Sequence, residues 1–404
     1  MGENASTKRV LLGVTGGIAA YKAGDIIRLL VKNGLEVDVV MTAHAREFIT
    51  PRTLQTLSKR PVWTDLFQSL QEQEIGHISL VDHSDIVLVA PATANILAKA
   101  AHGIADDLLS TILCVAARIP VIFAPAMNVH MYLNPVTQEN IKRLKSLGYH
   151  FVEPAEGELA CGHHGPGRLA DPEEIVEHVL HGLSPKDMQG ETLLVTAGRT
   201  EEEIDPVRFL TNPSSGKMGF ALARAASQRG AHVVLVSGPT HCRVPINVLH
   251  ISVRSAAEMH KAVMDNYAEA TVVLMAAAVS DFRPRTREEQ KIKKDKGLHS
   301  LALERTPDIL FELGKAKGNK CIVGFAAESE ELIENAKEKL ERKNLDIIVA
   351  NNIAQEGIGF QSDMNKVTLI RRDGSIDELP ILSKDILAHR VLDQVCSIRG
   401  LKPS

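Results

Sequence analysis

The sequence predicts an α/β protein of two doubly wound domains, on three observations. The chain has 404 residues, a length at which one hydrophobic core gives way to several. Short continuous apolar runs alternate with amphipathic stretches, the pattern of parallel strands covered on both faces. That pattern halts near 183–190 and then restarts with the same opening.

Arg9–Val14 is a β-branched run ending in Thr15-Gly16-Gly17. A helix is expected next, with Ala19, Ala23, Ile26 and Leu30 on one stripe and Gly34 as its stop. Glu36–Met41 reads as a second strand, and 85–89 and 120–123 as two more, each ending at a proline-containing loop. Residues 183–190 read as a linker, which predicts domains at 1–186 and 190–404. The second part opens with a strand at 192–196, a turn at 197–198, a helix at 217–230 and a strand at 232–236. Further strands are expected at 271–275, 321–324 and 346–350, with a charged helix at 335–343. Residues 366–371 and 375–379 flank Asp373-Gly374, a hairpin turn, and 384–398 is the last helix.

Apolar residues make up 44% and charged residues 24%, which excludes a disordered or collagen-like chain. A net charge of −4 gives no basic field, so nucleic acid is not an expected partner. Cys114, Cys161, Cys242, Cys321 and Cys396 are scattered and odd in number, which suits a reducing compartment. No apolar run reaches the ~18 residues of a membrane span, so no membrane partner is expected. The first residues lack a signal-peptide pattern, and Gly2 with Ser6 meets only a loose acylation pattern. A cytoplasmic enzyme or binding protein acting on small molecules is the expectation.

Open parallel sheets bind ligands beyond the carboxyl ends of their strands. Loops 15–18, 41–43, 90–95 and 125–128 should therefore hold the first site. Thr15-Gly16-Gly17-Ile18-Ala19-Ala20 offers backbone N–H groups at a helix start, an anion seat. It is not a G-x-G-x-x-G fingerprint, and a tight strand-to-helix turn would read the same way. Ala92, Thr93 and Asn95, then Ala126-Met127-Asn128, and Ser110-Thr111 add hydroxyls, amides and small apolar groups. That set suits a flat heteroaromatic cofactor with one phosphate; loop capping by Asn and Thr gives a similar composition. His77 in Gly76-His77-Ile78 has a structural reading as well as a functional one. Cys161 lies among loop-formers, in Ala160-Cys161-Gly162-His163-His164-Gly165-Pro166-Gly167-Arg168. A metal on Cys161, His163 and His164 lacks the spaced second ligand pair of a structural zinc site. A flexible loop with one thiol suits a lid carrying a proton donor.

The second site falls on loops 196–200, 237–240, 276–281 and 351–352. Asn212-Pro213-Ser214-Ser215-Gly216-Lys217 opens a helix with two hydroxyls and a lysine, again an anion seat. The spacing is not that of a P-loop, and a capped helix start is the alternative. Residues 285–296 carry six basic and three acidic side chains around Lys291-Ile292-Lys293-Lys294. Such a run is either a solvated face or a mobile loop that closes on a triphosphate.

Gly16-Gly17-Ile18-Ala19-Ala20-Tyr21-Lys22, Gly76-His77, Pro125-Ala126-Met127-Asn128 and the 160–168 loop resemble the flavin-dependent cysteine decarboxylases. Over nearly its full length the chain resembles the bifunctional coenzyme A biosynthesis proteins, which join phosphopantothenoylcysteine decarboxylase to phosphopantothenate–cysteine ligase. The resemblance implies two Rossmann-like domains, an N-terminal flavodoxin-like flavoprotein domain and a C-terminal ligase domain. It implies FMN held by Gly16, Gly17, Ile18, Ala19, Thr42, Ala92, Thr93, Asn95 and Ser110. It makes Cys161 the proton donor of the reductive step, His77 the aid to oxidative decarboxylation and Asn128 a neutral clamp on the substrate carboxylate.

In the ligase half it implies that Asn212 holds the acyl-nucleotidylate and Lys291 stabilises the transition state. Met275, Ala276, Ala277, Asp281, Pro307, Asp308, Ile309, Leu310, Phe325, Lys339 and Lys343 would contact CTP. Ser214, Ser215, Gly216 and Lys217 would bind substrate, with Mg²⁺ on ligands that the sequence does not assign. Arg199 departs from the pattern, which has a small residue or proline there. Homo-oligomers of trimeric decarboxylase units and dimeric ligase domains are implied too. A flavin-binding regulator and a peptidyl-cysteine decarboxylase are the alternatives, and the ligase half argues against both.

Overall fold

A computed structural model describes residues 7–66, 76–158, 164–293, 300–328, 332–352 and 362–401. Its contacts divide the chain into two units, Met1–Ser184 and Pro185–Ser404. Among the described residues, no helix is long and apolar enough to cross a membrane.

Unit 1 runs β1 (Arg9–Val14), α1 (Ala23–Lys32), β2 (Glu36–Met41), α2 (Pro51–Ser58), β3 (Val62–Trp63), α3 (Gly76–Asp82), β4 (Ile86–Ala92), α4 (Ala94–His102) and α5 (Leu108–Val115). It continues with β5 (Val121–Pro125), α6 (Val129–Tyr132), α7 (Pro135–Ser146), β6 (His150–Phe151), the hairpin β7 (Ala155–Glu158) and β8 (His164–Arg168), and α8 (Pro172–Leu183). The helix expected after β1 is divided: a 3₁₀ turn over Ile18–Lys22 precedes α1.

The sheet order is β3-β2-β1-β4-β5-β6, with every pairing parallel. Without the two-residue β3, this is the flavodoxin-like order 2-1-3-4-5. The direction of the strand order reverses between β1 and β4, which opens a crevice at their carboxyl ends.

Alternate residues feed opposite faces. Val10, Leu12 and Val14 join Ile86, Leu88 and Ala90 in one apolar cluster, while Leu11 joins Val87 and Val89 in another. Burial of each of these Val, Leu and Ile side chains contributes roughly 1.5–3 kcal/mol.

Unit 2 repeats the plan at larger scale. It runs β9 (Thr192–Ala197), β10 (Glu201–Glu203), β11 (Phe209–Thr211), α9 (Lys217–Gln228), β12 (His232–Ser237), β13 (Val248–Ser252), α10 (Ala256–Tyr267), β14 (Val272–Met275), β15 (Phe282–Pro284) and β16 (Leu303–Arg305). There follow α11 (Ile309–Lys315), β17 (Cys321–Glu328), α12 (Leu332–Arg342), β18 (Ile347–Asn352), β19 (Met364–Asn365), β20 (Val367–Arg371), β21 (Ile376–Glu378), β22 (Leu382–Ser383) and α13 (Lys384–Arg399). The main sheet is β13-β12-β9-β14-β17-β18-β20-β21, parallel up to β18 and closed by the antiparallel hairpin.

The segment expected to be a linker is packed. Met188 is fully buried, and Asp187 takes a bidentate contact from Arg229 at 2.6 and 2.9 Å. Arg229 is itself buried and also reaches Asp393 on α13 at 2.8 Å. Burial works against its charge, but Asp187 and Asp393 outweigh that and raise its pKa.

Phe123 on β5 is fully buried and packs on the rings of Tyr149 and Phe151, with centroids 5.7 and 5.4 Å away. Phe123→Ala should cost about 3–5 kcal/mol and lower the melting temperature of unit 1 by roughly 6–20 °C. Calorimetry of the whole chain reads this, and an unmoved transition would contradict the packing.

Candidate active sites

In unit 1 the β1–β4 crevice is tied by one side chain. Thr15 Oγ1 donates to the carbonyl of Pro91 at 2.6 Å and accepts from the amide of Thr93 at 3.2 Å. Gly16 has no room for a side chain, since a Cβ there would sit 2.3 Å from His44 Cβ. The backbone of 16–18 therefore lies open to the crevice.

A cavity of about 680 Å³ follows, lined by the 16–19 loop, Thr93, the 126–128 loop, Met131 and 167–169. Asn128 caps α6, and its Oδ1 accepts from the amide of His130 at 2.8 Å. That bond fixes the plane of its amide. The hairpin is docked there too, because Met127 N donates to the carbonyl of Gly167 at 2.9 Å. A Cβ on Gly167 would meet Met127 O at 2.4 Å, so only glycine permits this approach.

Gly16, Gly17, Ile18, Ala19, Thr93 and Asn128 are thus brought together. Thr42, Ala92, Asn95 and Ser110 are not among the lining residues. Asp107 caps α5, and Ser110 completes that capping box, bonded to Asp107 at 2.8 Å through its amide and 2.9 Å through its hydroxyl. His77 stands in the first turn of α3. Cys161 and the cysteine–histidine metal reading at 161 and 163 lie outside the described residues. Among the described residues no group of three or more His, Cys, Asp or Glu could hold a metal. Tyr21, Lys22, Met131 and Arg168 also line the cavity and were not singled out as ligands. Their signal was adjacency: each neighbours a quoted motif or belongs to one.

In unit 2 a cavity of about 420 Å³ lies at the carboxyl rim. Asn212, Ser214, Ser215, Gly216, Lys217, Ala276, Ala277, Asp281, Phe325 and Lys339 are among its lining residues. Met275 is buried in β14 below the rim. Pro307, Asp308, Ile309, Leu310 and Lys343 are not in its lining. Asp308 caps α11 by accepting from Phe311 N at 3.1 Å and pairs with Lys343 at 2.9 Å. Burial opposes its charged form, but Lys343 and the cap prevail and hold its pKa below the usual value.

The 212–217 loop is tied from behind. Asn212 Nδ2 donates to the carbonyl of Val279 at 3.2 Å. The carbonyl of Ser215 accepts from Thr240 Oγ1 at 2.8 Å and from Cys242 Sγ at 3.4 Å. Arg199 supplies another tie, from its guanidinium to the carbonyl of Ser214 at 3.4 Å. The departure at 199 therefore has a use, which is to shape the anion-seat loop.

Lys384, Asn351 and Asn365 also line this cavity. Sequence reasoning placed 351–352 only as a loop and missed Lys384, which looks like an ordinary helix-start residue. Among the described residues, the side-chain oxygen of Asn351 is buried without a hydrogen-bond partner. A buried orphan acceptor asks for a donor or a cation.

Lys291 is exposed and outside the lining, yet its neighbour is clamped. Asp205 Oδ2 accepts from Ile292 N at 3.2 Å, and Arg208 donates to Ile292 O at 3.3 Å. Asp205 also accepts from the amides of Val207 and Arg208, both at 2.8 Å. Burial disfavours its charge, but these amides and Arg208 hold its pKa below the ordinary carboxylate range.

The geometry defines an α/β protein with two separate centres, each at the carboxyl rim of its own parallel sheet. Residues 1–184 match the Flavoprotein family, and residues 188–398 match the DNA/pantothenate metabolism flavoprotein C-terminal domain. The Coenzyme A biosynthesis bifunctional protein CoaBC of Vibrio cholerae is 47% identical over 96% of this chain and 98% of its own. The protein of the same name from Bacillus subtilis is 47% identical over 97% and 98%. Among solved structures, the C-terminal domain of a CoaBC protein is 42% identical over 53% of this chain and 98% of its own, with TM-score 0.47. A PPC decarboxylase mutant complexed with pantothenoylaminoethenethiol is 31% identical over 43% and 97%, with TM-score 0.40. The chain belongs to the family of bifunctional coenzyme A biosynthesis proteins, flavoprotein decarboxylase and ligase in one chain.

Asp205→Asn should loosen the Ile292 clamp by about 1–3 kcal/mol. Because the folded-state pKa is depressed, the clamp's stability is fully present above the unfolded value of about 4 and fades as pH falls through the lower folded one. Hydrogen exchange at Ile292 should be faster in the variant at neutral pH, with decarboxylation unchanged. Equal exchange in both proteins would refute the clamp.

Proposed function

We propose that unit 2 ligates cysteine to 4′-phosphopantothenate with CTP, and that unit 1 decarboxylates the product to 4′-phosphopantetheine with FMN. One observation carries the reading. The chain is related to CoaBC proteins over 96% of its length, and the rim of each of its two sheets has a cavity lined by part of the residues that the resemblance assigns to that half-reaction.

The unit 1 residues fit a flavin nucleotide. The side-chain-free backbone of 16–17 suits a phosphate, and Ile18, Met127 and Met131 offer apolar surface to a ring system. Bound FMN would take a hydride from the substrate's thiol-bearing carbon and return it later. Loss of that hydride and the thiol proton leaves a C=S group β to the carboxylate, which can then depart as CO₂ with its electrons drawn to sulfur. Asn128 holds the carboxylate by neutral hydrogen bonds, because an ion pair would stabilise the charge that must be lost. His77 assists this oxidative phase. Cys161 delivers the proton of the reductive phase.

In unit 2 the substrate carboxylate attacks the α-phosphorus of CTP and pyrophosphate leaves. The amine of cysteine then attacks the acyl carbon, CMP departs, and the amine loses a proton. Asn212 holds the acyl-cytidylate, and Lys291 approaches on its clamped loop. Asp281 and the side-chain oxygen of Asn351 are two of the oxygen donors in this cavity that would suit Mg²⁺. The exposed apolar side chains of Ile18, Tyr21 and Met131 beside the flavin cavity support an oligomer built on unit 1. Trimers of unit 1, dimers of unit 2 and a cytoplasmic location complete the reading.

Purified chain should show flavin absorption, and the released chromophore should be FMN. A colourless protein that takes up no FMN would overturn the unit 1 assignment alone. Cys161→Ser should bind FMN normally and slow product release by about 10²–10⁴-fold, with the ene-thiol accumulating. Asn212→Asp should block ligation and leave decarboxylation intact; joint loss of both would argue against separate centres.

A further inference from the structure

The lining of the unit 1 cavity holds two cations, Lys22 and Arg168. The guanidinium of Arg168 lies 3.9 Å from the carboxylate of Asp171 and close to Gly157 on the facing strand of the hairpin. Lys22 differs. Among the described residues its ammonium group has no hydrogen-bond or ion-pair partner, and Asp25 in the first turn of α1 is no exception.

Lys22 is half-buried at the end of the 3₁₀ turn that follows Gly16 and Gly17, and it immediately precedes α1. The dipole of α1 opposes a cation at that end, so the helix gives no reason for one. A half-buried ammonium also loses part of its hydration. An anion bound beside Lys22 would offset both effects.

A flavin-dependent decarboxylase of this kind must receive three anionic groups here: the flavin phosphate, the substrate carboxylate and the substrate 4′-phosphate. The open backbone of 16–17 suits the first. The fixed amide of Asn128 suits the second, where a cation would hold the charge that must be lost. The third keeps its charge throughout the reaction, so a cation on it strengthens binding without opposing loss of CO₂. The sheet spaces the two ends of the substrate accordingly. Lys22 follows β1 and Asn128 follows β5, with β4 between them, so their loops leave the sheet two strand spacings apart, roughly 10 Å. An extended pantothenoyl chain separates its phosphate from its cysteine end in the same sense.

We propose that Lys22 binds the 4′-phosphate of the substrate in unit 1 and makes the decarboxylase selective for a phosphorylated cysteine conjugate. The assignment rests on the reading of unit 1 as an FMN-dependent decarboxylase.

The test compares 4′-phosphopantothenoylcysteine with pantothenoylcysteine on the full, FMN-loaded chain. The unaltered chain should favour the phosphorylated substrate in kcat/KM. Lys22→Met should lower that preference by about 10–10²-fold, the worth of one charge-assisted hydrogen bond. Lys22→Arg keeps the charge and should keep most of the preference. Lys32→Met removes an exposed charge from the far end of α1 and should leave the preference unchanged. Binding is a second readout. Titration of the flavin absorbance with 4′-phosphopantetheine should give a Kd raised by the same factor in Lys22→Met, and pantetheine should show no such change. FMN and riboflavin should bind Lys22→Met as they bind the unaltered chain.

A preference that survives in Lys22→Met would overturn the proposal. So would an equal loss in Lys32→Met, which would make the effect one of net charge. Weakened binding of FMN with riboflavin unaffected would put Lys22 at the flavin phosphate and overturn it too. If Lys22→Met binds neither flavin, Lys22→Gln takes its place, and a preference retained there is equally fatal. If the unaltered chain decarboxylates both substrates alike, Lys22 has no such role; if it decarboxylates neither, the decarboxylase reading itself falls.

Discussion

The parallel sheet is the constraint from which the rest follows. A strand buried on both faces must send all its backbone polar groups into the ladder, and its connections must cross over as helices. Every strand then ends at the same rim, and only the loops at that rim have backbone groups to give to a ligand. In unit 1, β1 and β4 end side by side at the switch point, where Thr15 bridges Pro91 and Thr93. In unit 2, β9, β14, β17 and β18 are consecutive neighbours, so Ala276, Phe325 and Asn351 come to one cavity from loops and strands distant in sequence.

Close approach is the second requirement, and it explains where side chains are absent. A Cβ at Gly219 would lie 2.5 Å from Ala197 Cβ, so α9 can press its first turn against the end of β9 only without one. That contact brings the Ser214–Ser215 loop over the rim. Three donors behind the loop, Arg199, Thr240 and Cys242, then take its carbonyls. The seat is organised before any ligand arrives, which reduces the ordering needed on binding.

The alternation of apolar runs and helices was legible in the sequence because burial on both faces leaves a continuous apolar signature. β1, β2, β9 and β12 show it, and 9–14 and 36–41 coincide with the observed strands. The loops of the site were legible because they follow those runs. Less legible was the use made of individual polar residues. Ser110 reads as a cofactor hydroxyl, yet it closes the cap on α5. Asp308 and Lys343 read as nucleotide contacts and pair with each other. Composition cannot separate a hydroxyl that caps a helix from one that faces a ligand, since the same chemistry serves both. Lys384 was hidden for another reason. Its burial depends on α13 packing beside α9, a contact between segments more than a hundred residues apart.

The two centres share a frame and need opposite electrostatics. Decarboxylation removes a charged group, so the residues around it must bind without stabilising the anion. Unit 1 offers an amide, a threonine, glycines and methionines, with Lys22 and Arg168 as its lining cations. Unit 2 instead sets Lys217, Lys339 and Lys384 in the lining of its cavity, a lining suited to anions. Placing cations at helix starts and burying one of them opposes the stability of the empty fold. A bound polyanion would offset that cost, because its charge opposes theirs. The sites thus differ in which state of the reaction their charges favour, and the shared sheet does not impose the difference. It comes from a few residues in the loops, where substitution leaves the buried strands untouched.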